Sequence, residues 1–327
     1  MRHVLAAIAT TLLLSVLPAQ AETPSSKQIA ARVELHAIPS LTLSDQQFLS
    51  GDGNGKPVTV TGEFRVAQGS GRLPVVVLIH GSGGIGANIE PWTQHFNAMG
   101  ISTFVIDGFT GRGLTSVNTD QALLGRLNFI VDIYRTLDIL AKHPRVDPER
   151  IVLMGFSRGG QAALYASEAR FHKTWNKSGL QFAAYIPFYP DCATTYLNDV
   201  DVVDRPIRIF HGMPDDYNPV ASCKSFVQRL RDARHDVTLT EYPDAQHGFD
   251  TPLNVGTVAV ASGAQTVRGC KIREADGGLL INAATEKPFS YKDDCVQLNP
   301  HVGGNAAAAA ASRLAVSDFV RQIFKLD

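Results

Sequence analysis

The spacing of apolar and polar positions changes near residue 73. Before it, residues 57–67 alternate apolar and polar side chains as a half-buried strand does, and the Gly-rich segment 51–55 ahead of them is interpreted as a hairpin turn. After it, short apolar runs alternate with segments of helical periodicity, which is typical of buried parallel strands joined by crossover helices. The predicted strands lie at 73–79, 101–106, 150–154, 182–188, 207–210 and 237–242. The sequence therefore predicts an α/β fold with a mostly parallel central sheet.

Helical periodicity fills the intervals between these strands. The predicted helices span 92–99, 121–142, 158–169, 221–233 and, near the carboxyl end, 305–324. Pro144 is expected to end the second of them. Residues 251–302 do not continue the alternation, because they are rich in Gly, Asn and Asp. We interpret them as an insertion before the last helix of one domain that spans 22–327, with helices on both faces of its sheet.

Composition and charge narrow the class of protein. The 327 residues suffice for two domains or for one large α/β domain. With 44% hydrophobic and 19% charged residues, the chain has a globular composition. Thirty Lys and Arg against 31 Asp and Glu give a net charge of -1, so no overall field favours a nucleic-acid backbone. We expect no nucleic-acid partner.

The first 21 residues have the pattern of a signal peptide. Arg2 precedes an uncharged, mostly apolar run at 5–17, and Ala19-Gln20-Ala21 is a small-x-small cleavage pattern before Glu22. A membrane anchor is the alternative, but it needs about 20 apolar residues, and this run is shorter. No Cys lies beside the cleavage pattern, so no lipid anchor is indicated. We predict an exported protein, periplasmic or secreted, without a stable membrane anchor.

Export changes the interpretation of the four cysteines, Cys192, Cys223, Cys270 and Cys295. In an oxidising compartment an even number of cysteines is most simply explained by disulfides, and four cysteines allow three pairings. We favour Cys192 with Cys223 and Cys270 with Cys295, because each pair closes a short segment. Metal binding is the alternative, but neither CxxC nor HxxxH spacing is present. No metal site is expected.

A G-x-S-x-G motif lies between a predicted buried strand and a predicted helix. It reads Gly155-Phe156-Ser157-Arg158-Gly159. Such a motif is typical of a nucleophile elbow, in which the glycines permit a tight turn that exposes the serine oxygen. The amides and the dipole at the start of the following helix favour negative charge beside that oxygen. A tight turn without chemistry is the alternative, but the strand-to-helix context favours a nucleophile at Ser157.

A serine nucleophile needs a base, and the base needs an orienting acid. In hydrolases with this elbow the chain order is Ser, acid, His. Asp215 and Asp216 follow the predicted strand 207–210, and His247 follows the strand 237–242. We select His247 from the ten histidines on position and order, and prefer Asp215 to Asp216, for which hydrogen bonding within the turn is the alternative.

A second Gly-rich segment follows the first buried strand. It reads His80-Gly81-Ser82-Gly83-Gly84, at the place where a backbone amide of an oxyanion hole is expected. We assign one amide to Ser82, with Gly83 as the alternative, and the other to Arg158. A phosphate-binding loop is not favoured, because the G-K-[ST] ending is absent.

Taken together, these motifs resemble the dienelactone hydrolase family of the α/β-hydrolase superfamily. The resemblance covers about residues 58–250 and includes the segments 107–113 and 144–151 beside the motifs above. In that family the acid lies four residues before a proline, which here selects Asp215 before Pro219. The resemblance implies an α/β-hydrolase fold and hydrolysis of small-molecule esters or lactones through an acyl-enzyme, without a cofactor.

One residue departs from the family pattern. Dienelactone hydrolases proper carry a Cys nucleophile, whereas this elbow has Ser157, which favours a more general carboxylic-ester substrate. For Arg112, a surface or structural salt bridge is favoured over contact with an acidic substrate group. A serine peptidase similar to the prolyl oligopeptidase group is an alternative function, but the first 57 residues are too short for a propeller domain. A non-catalytic binding protein on the same fold is a second alternative.

Overall fold

The computed structural model describes residues 29–326. The predicted signal peptide, residues 1–21, lies outside the described residues. In chain order the strands are β1 (Arg32–Thr42), β2 (Lys56–Val66), β3 (Leu73–Ile79), β4 (Ser102–Asp107), β5 (Val146–Phe156), β6 (Ala184–Phe188), β7 (Thr194–Thr195), β8 (Ile207–Gly212), β9 (Val237–Tyr242), β10 (Ala259–Val260), β11 (Gln265–Thr266), β12 (Ile272–Ala275), β13 (Leu279–Asn282), β14 (Lys287–Pro288), β15 (Gln297–Leu298) and β16 (His301–Val302).

The helices lie between these strands and after the last of them. They are α1 (Asp45–Ser50), α2 (Ile89–Ala98), α3 (Asn128–Ala141), α4 (Arg158–Tyr165), α5 (Ala169–Trp175), α6 (Val220–Asp232) and α7 (Ala306–Phe324), with 3-10 turns at Thr110–Arg112, Gln121–Leu123 and Asp276–Gly278. Within residues 29–326, no helix combines the length and the apolar character needed to cross a membrane.

An eight-stranded sheet forms the centre of the protein, in the order β1-β2-β4-β3-β5-β6-β8-β9. β1 and β2 pair antiparallel, β2 pairs antiparallel with β4, and the remaining neighbours are parallel. This arrangement confirms the predicted α/β-hydrolase fold with a mostly parallel sheet. The parallel strands carry their carboxyl ends to one edge, where ligand sites of such sheets form.

Apolar side chains cover both faces of the sheet. In β3, Val75, Val77 and Ile79 pack with α3, α4 and α6 on one face, whereas Val76 and Leu78 pack with α2 and α7 on the other. A strand that is buried on both faces is apolar at every position, which explains why β3 appears in the sequence as a continuous run rather than as an alternation.

The amino-terminal part of the sheet differs from the prediction. β1 was not predicted, and its pairing with β2 is connected through α1, so the segment 51–55 follows a helix instead of forming a tight hairpin turn. α1 begins at Ser44, whose side chain forms a capping box with Gln47. So short a helix contains too few apolar positions for its sequence pattern to be distinguished from that of a loop.

Two predicted helices are shorter than expected. The segment 121–142 contains a 3-10 turn and then α3, which begins only at Asn128, and Leu123 on the expected apolar face is 53% exposed. The carbonyls of Leu124 and Gly125 accept hydrogen bonds from the Arg158 side chain, and this tertiary contact replaces helical bonding there. In the segment 158–169, α4 ends at Tyr165, and a separate helix, α5, begins at Ala169.

Both disulfides favoured from the sequence are present, Cys192–Cys223 and Cys270–Cys295. The first joins the chain after β6 to α6. The second closes a loop within residues 251–302, which form short strands rather than a structureless loop. In this segment β12, β13 and β14 make a four-stranded sheet with β7. The segment is therefore attached to the body of the domain.

Candidate active site

Ser157 occupies a strained turn between β5 and α4. Its backbone has φ 55° and ψ -115°, a conformation that side-chain-bearing residues rarely adopt, and its amide donates to the Phe188 carbonyl at 3.0 Å. The flanking glycines are required by space: a Cβ on Gly155 would lie 2.0 Å from the Gly159 carbonyl oxygen, and one on Gly159 would lie 2.3 Å from that of Ile79. The G-x-S-x-G spacing thus encodes a turn that holds the serine at the edge of the sheet.

Three predicted residues from different parts of the chain meet at this turn. His247 Nε2 lies 2.8 Å from Ser157 Oγ, and His247 Nδ1 lies 2.8 Å from Asp215 Oδ2. When Nδ1–H donates to the carboxylate, Nε2 is left free to accept the serine proton, which is the arrangement that general-base activation needs. Asp215 and His247 are both buried, so this hydrogen-bonded chain is shielded from bulk water.

Asp215 is fixed by its own turn. Its Oδ1 accepts hydrogen bonds from the amides of Tyr217 and Asn218 at 2.9 and 2.8 Å, which leaves Oδ2 for His247. Asp216 points elsewhere: it accepts from the Arg268 guanidinium at 2.6 Å and from the His301 amide at 2.7 Å. The structure therefore brings Asp215, and not Asp216, to the histidine.

Two tyrosine rings enclose the imidazole of His247. The Tyr217 ring stacks on it with centroids 4.6 Å apart, and the Tyr189 ring meets it at a steep angle, 4.7 Å away. Tyr189 has φ 36°, and its hydroxyl donates to Asp250 at 2.6 Å. Asp250 also accepts from Trp92 Nε1 at 2.8 Å. Packing thus restricts the rotation of the imidazole.

The sequence motifs did not indicate this support around His247. Tyr217 lies two residues after Asp215 and Asp250 lies three after His247, so proximity in sequence was the available signal. No sequence signal indicated Tyr189, because its contact with His247 depends on a positive φ just after β6. Burial raises the pKa of Tyr189 well above its ordinary value, so its hydroxyl stays protonated and donates to Asp250.

The two residues proposed for the oxyanion hole border the same cavity as Ser157. Ser82 and Arg158 both line it. A Cβ placed on Gly81 would lie 3.2 Å from Ser157 Cβ, which shows how closely the Gly81-Ser82 backbone approaches Ser157. Arg158 is the first residue of α4, so its amide belongs to the first turn, where helical amides have no carbonyl partner in the helix.

The cavity beside Ser157 is small, and most of the residues that line it are polar. Its volume is about 40 Å³. Besides Ser82 and Arg158, its walls include Arg126 from the loop before α3 and Tyr291 from the insertion 251–302. The insertion therefore contributes part of the wall, a role that its sequence did not reveal. Arg126 also gave no sequence signal, since it lies outside every motif.

Arg112 takes the structural role favoured from the sequence. Its Nη1 and Nη2 donate to the two carboxylate oxygens of Asp132 at 2.7 and 2.9 Å, and both side chains are buried. Burial and the Arg112 guanidinium act in opposite directions on Asp132, and burial dominates, raising the pKa of that carboxyl. Arg112 does not line the cavity beside Ser157.

Among residues 29–326, one cluster has the residue types of a metal site, and it lies away from Ser157. Glu34, His36 and His143 place ligand atoms within 4.8 Å of one another. However, His143 Nδ1 accepts from the Arg145 amide at 3.2 Å, so Nε2 carries the proton and donates to Glu34 at 3.1 Å. A metal on Nε2 would require the opposite tautomer, so hydrogen bonding explains the cluster better.

Comparisons with known proteins agree with the fold and the motifs. The model of the dienelactone hydrolase family matches residues 63–268. A Synechocystis protein to which carboxymethylenebutenolidase activity is assigned is 23% identical over 61% of this chain and 85% of its own. LipM of Mycobacterium tuberculosis, assigned as a carboxylic ester hydrolase, is 26% identical over 37% of this chain and 38% of its own.

Solved structures share the fold at low sequence identity. P91, a dienelactone hydrolase-like promiscuous phosphotriesterase from metagenomic libraries, superposes with a TM-score of 0.56 at 15% identity, covering 89% of this chain and 98% of its own. Esterase 2 of Thermogutta terrifontis, phosphonylated by cyclosarin, gives 0.52 at 18% identity over 68% and 87%. Because the family model matches more than half of the length of this chain, the chain belongs to the dienelactone hydrolase family.

Proposed function

We propose that the protein is an exported serine hydrolase that cleaves carboxylic esters or lactones through an acyl-enzyme. The observation that carries this proposal is the unbroken hydrogen-bonded chain from Asp215 through His247 to Ser157, which ends at a cavity. Membership in the dienelactone hydrolase family and the assignments of its relatives support the same reaction class.

In the first step Ser157 Oγ attacks the acyl carbon while His247 Nε2 takes its proton. The negative charge on the former carbonyl oxygen is stabilised by the amides of Ser82 and Arg158. The alcohol then leaves with the proton from His247, which gives the acyl-enzyme. Asp215 holds the imidazole in the required tautomer and stabilises its charged form throughout.

Water completes the turnover. His247 removes a proton from a water molecule that attacks the acyl-enzyme, and the acid is released as Ser157 regains its proton. Each oxygen and proton in this scheme comes from substrate, water or the three side chains. The proposed mechanism therefore requires no cofactor.

The proposal extends to location and domain structure. Residues 1–21 serve as a cleaved signal peptide, and residues 22–327 form one domain. The insertion 251–302 of this domain contributes to the wall of the cavity beside Ser157. The two disulfides are compatible with an oxidising compartment such as the periplasm or the extracellular medium.

A panel of p-nitrophenyl esters from acetyl to decanoyl tests the function. We expect the disulfide-bonded protein to hydrolyse the panel with an optimum at one chain length, and Ser157→Ala to abolish turnover. Folding of the variant is checked by circular dichroism. Equal turnover by the Ser157→Ala variant and the wild type would contradict the proposal.

A further inference from the structure

A second cavity, between α1, the 3-10 turn Gln121–Leu123 and the insertion, lies against the cavity beside Ser157. Its volume is about 360 Å³, and Gln121 and Tyr291 line both cavities. The cavity beside Ser157, at about 40 Å³, has no room for both substituents of an ester, because one water molecule already needs roughly 10–15 Å³ of such volume. An ester bound at Ser157 therefore extends beyond the first cavity, and the second cavity adjoins it.

The wall between the two cavities has one fixed and one freer side chain. Gln121 is buried, and its Oε1 accepts a hydrogen bond from Arg158 Nη1 at 2.7 Å. Tyr291 is half-buried, and its ring packs against that of Phe289 with centroids 5.3 Å apart. The route from the first cavity to the second therefore runs along Tyr291 rather than through Gln121.

Most of the surface that lines the second cavity is apolar. Leu124 and Leu280 are buried residues of this lining, and Leu279 and Phe289 are half-buried ones. A cavity of about 150 Å³ with a lining of this kind binds benzene. The second cavity is larger, so it has room for a phenyl ring together with a short linker. Its size and lining are those of a small-molecule site.

The charge of the second cavity disfavours an anionic ligand. Asp45 is the one carboxyl group of the lining, and no Lys, Arg or His of the described residues belongs to it. The Leu127 amide donates to Asp45 Oδ1 at 3.1 Å, and burial raises the pKa of this carboxyl. A carboxylate would therefore meet another carboxyl group and no cation, whereas an uncharged apolar group would contact the apolar wall.

The insertion contributes five of the lining residues, Leu279, Leu280, Phe289, Ser290 and Tyr291. All five lie within the loop that the Cys270–Cys295 disulfide closes. The family model ends at residue 268, before any of them. The second cavity is therefore formed in part by a segment of this chain that the family model does not describe.

We propose that the second cavity binds an uncharged aryl group of the ester, so that the preferred substrates are neutral esters in which a short chain joins a phenyl-sized group to the ester. The proposal rests on the proposed function, because the ester carbonyl lies at Ser157 while the aryl group occupies the second cavity. The aryl group belongs either to the acid or to the alcohol of the ester, and matched substrates distinguish the two. Tyr291 and Phe289 become specificity-determining residues.

Two pairs of esters test the proposal. Ethyl 4-phenylbutanoate and ethyl butanoate differ by a phenyl group on the acid, whereas 4-phenylbutyl acetate and butyl acetate differ by a phenyl group on the alcohol. We expect the phenyl group to raise kcat/KM by about 10-fold or more in at least one pair, measured by pH-stat titration, as burial of an aromatic ring allows. The pair that responds shows which side of the ester occupies the cavity. Ratios close to one in both pairs would overturn the proposal.

Two tryptophan substitutions in the same 3-10 turn locate the aryl group. Ala122 is exposed and lines the second cavity, so Ala122→Trp fills this cavity and is expected to lower the phenyl ratio of the responding pair by about 10-fold. Leu123 is 53% exposed and lines a different cavity, so Leu123→Trp is the matched control and should keep the wild-type ratio. An unchanged ratio in Ala122→Trp, or an equal loss in both variants, would overturn the assignment of the aryl group to this cavity.

Binding of the neutral fluorescent probe N-phenyl-1-naphthylamine separates this proposal from the catalytic one. We expect the probe to bind the wild type, Ser157→Ala and Leu123→Trp alike, and to bind Ala122→Trp about 10-fold more weakly. If no ester is turned over but the probe shows this pattern, the proposed function fails and the aryl site stands. If ethyl butanoate and butyl acetate are hydrolysed but the phenyl group gives no gain, the aryl site fails and the hydrolase stands.

Discussion

Asp215 and Asp216 are adjacent at the end of β8 yet have different partners, and this difference yields a direct test. Asp215→Asn leaves the shape but no longer stabilises the Nδ1–H imidazole, so kcat is expected to fall by about 10³ to 10⁴ with little change in KM. Asp216→Asn, which weakens contacts with Arg268 and His301, is expected to keep kcat within about threefold, since its partners lie outside the triad. Steady-state kinetics on both variants shows which of the two carboxylates supports catalysis.

Tyr189 offers a second test at the scale of one residue. Tyr189→Phe removes the hydroxyl that donates to Asp250 and leaves that buried carboxylate with fewer donors. We expect the free energy of unfolding to fall by about 1–3 kcal/mol. Because the ring that packs on His247 remains, kcat should decrease only severalfold while KM is unchanged.

The measurement for Tyr189 combines denaturant unfolding with a pH profile of kcat. Tyr189→Leu, which removes the ring as well, should lower kcat further than Tyr189→Phe, because the imidazole then loses the ring 4.7 Å from it. Identical kcat in both variants would show that the ring does not hold His247.

The turn between β5 and α4 makes a prediction at the scale of an element. Gly159→Ala places a Cβ 2.3 Å from the Ile79 carbonyl oxygen, so the strand and the helix must move apart. We expect a loss of about 2 kcal/mol or more in the free energy of unfolding together with loss of activity. Gly53→Ala is the control, because no atom lies within 4 Å of the added Cβ.

The interface between α2 and α7 should respond to acid. His95 Nε2 lies 2.6 Å from Ser317 Oγ, and burial, together with Arg313 and Arg321, lowers the pKa of His95 from its ordinary value to about 4. Because the folded pKa is the lower one, the contribution of His95 to stability is complete above about pH 6.5 and is lost as pH falls toward 4. His95→Gln is expected to weaken this pH dependence in thermal unfolding curves recorded from pH 7 to 4. A curve identical to the wild type would contradict the assignment.

Elements also differ in how far the sequence predicted them. β3 and β9 have the predicted bounds. β3 is buried on both faces and is therefore an apolar run, whereas β9 is an edge strand in which Val237 and Leu239 alternate with threonines. The start of α3 was wrong, because the carbonyls of Leu124 and Gly125 bond to a side chain from 33 residues or more along the chain. Periodicity describes one segment at a time and does not contain such contacts.

In the candidate site, too, some residues could be predicted from the sequence, whereas others depend on tertiary contacts. Strand ends, chain order and the elbow motif together pointed to Ser157, Asp215 and His247, and the structure brings these three side chains together. Arg126 and Tyr189 were not found, since the first is defined by a cavity between the body and the insertion, and the second by backbone strain. Chemistry fixed by a motif is readable from sequence, whereas pocket walls depend on tertiary packing.

The Cys270–Cys295 disulfide links the stability of the insertion to the site at the scale of the whole molecule. Of the residues that line the cavity, Tyr291 lies within the loop that this disulfide closes, and Val267 lies three residues before it. The double substitution Cys270→Ser and Cys295→Ser is expected to lower the free energy of unfolding by about 3 kcal/mol, as loop-closure entropy predicts. Activity should be lost at lower denaturant concentrations than the far-ultraviolet circular dichroism of the main sheet.

The other disulfide serves as the control. Cys192→Ser with Cys223→Ser removes a link of similar span between the chain after β6 and α6. For this variant we expect activity and circular dichroism to be lost in one transition, since the disulfide connects the chain after β6 to α6, and both belong to the main sheet and its helices rather than to the insertion. Separate transitions of activity and circular dichroism in this control, together with a single transition in the variant that lacks Cys270–Cys295, would contradict the role given to the insertion.

If Ser157 forms the covalent intermediate, it should react with a fluorophosphonate probe, and mass spectrometry after such treatment detects the adduct. Such a probe phosphonylates a serine activated by a neighbouring base. We expect one adduct per chain, located on the peptide that contains Ser157 and absent from both Ser157→Ala and His247→Ala. Failure of the folded wild type to react, or an adduct of equal yield in Ser157→Ala, would contradict it.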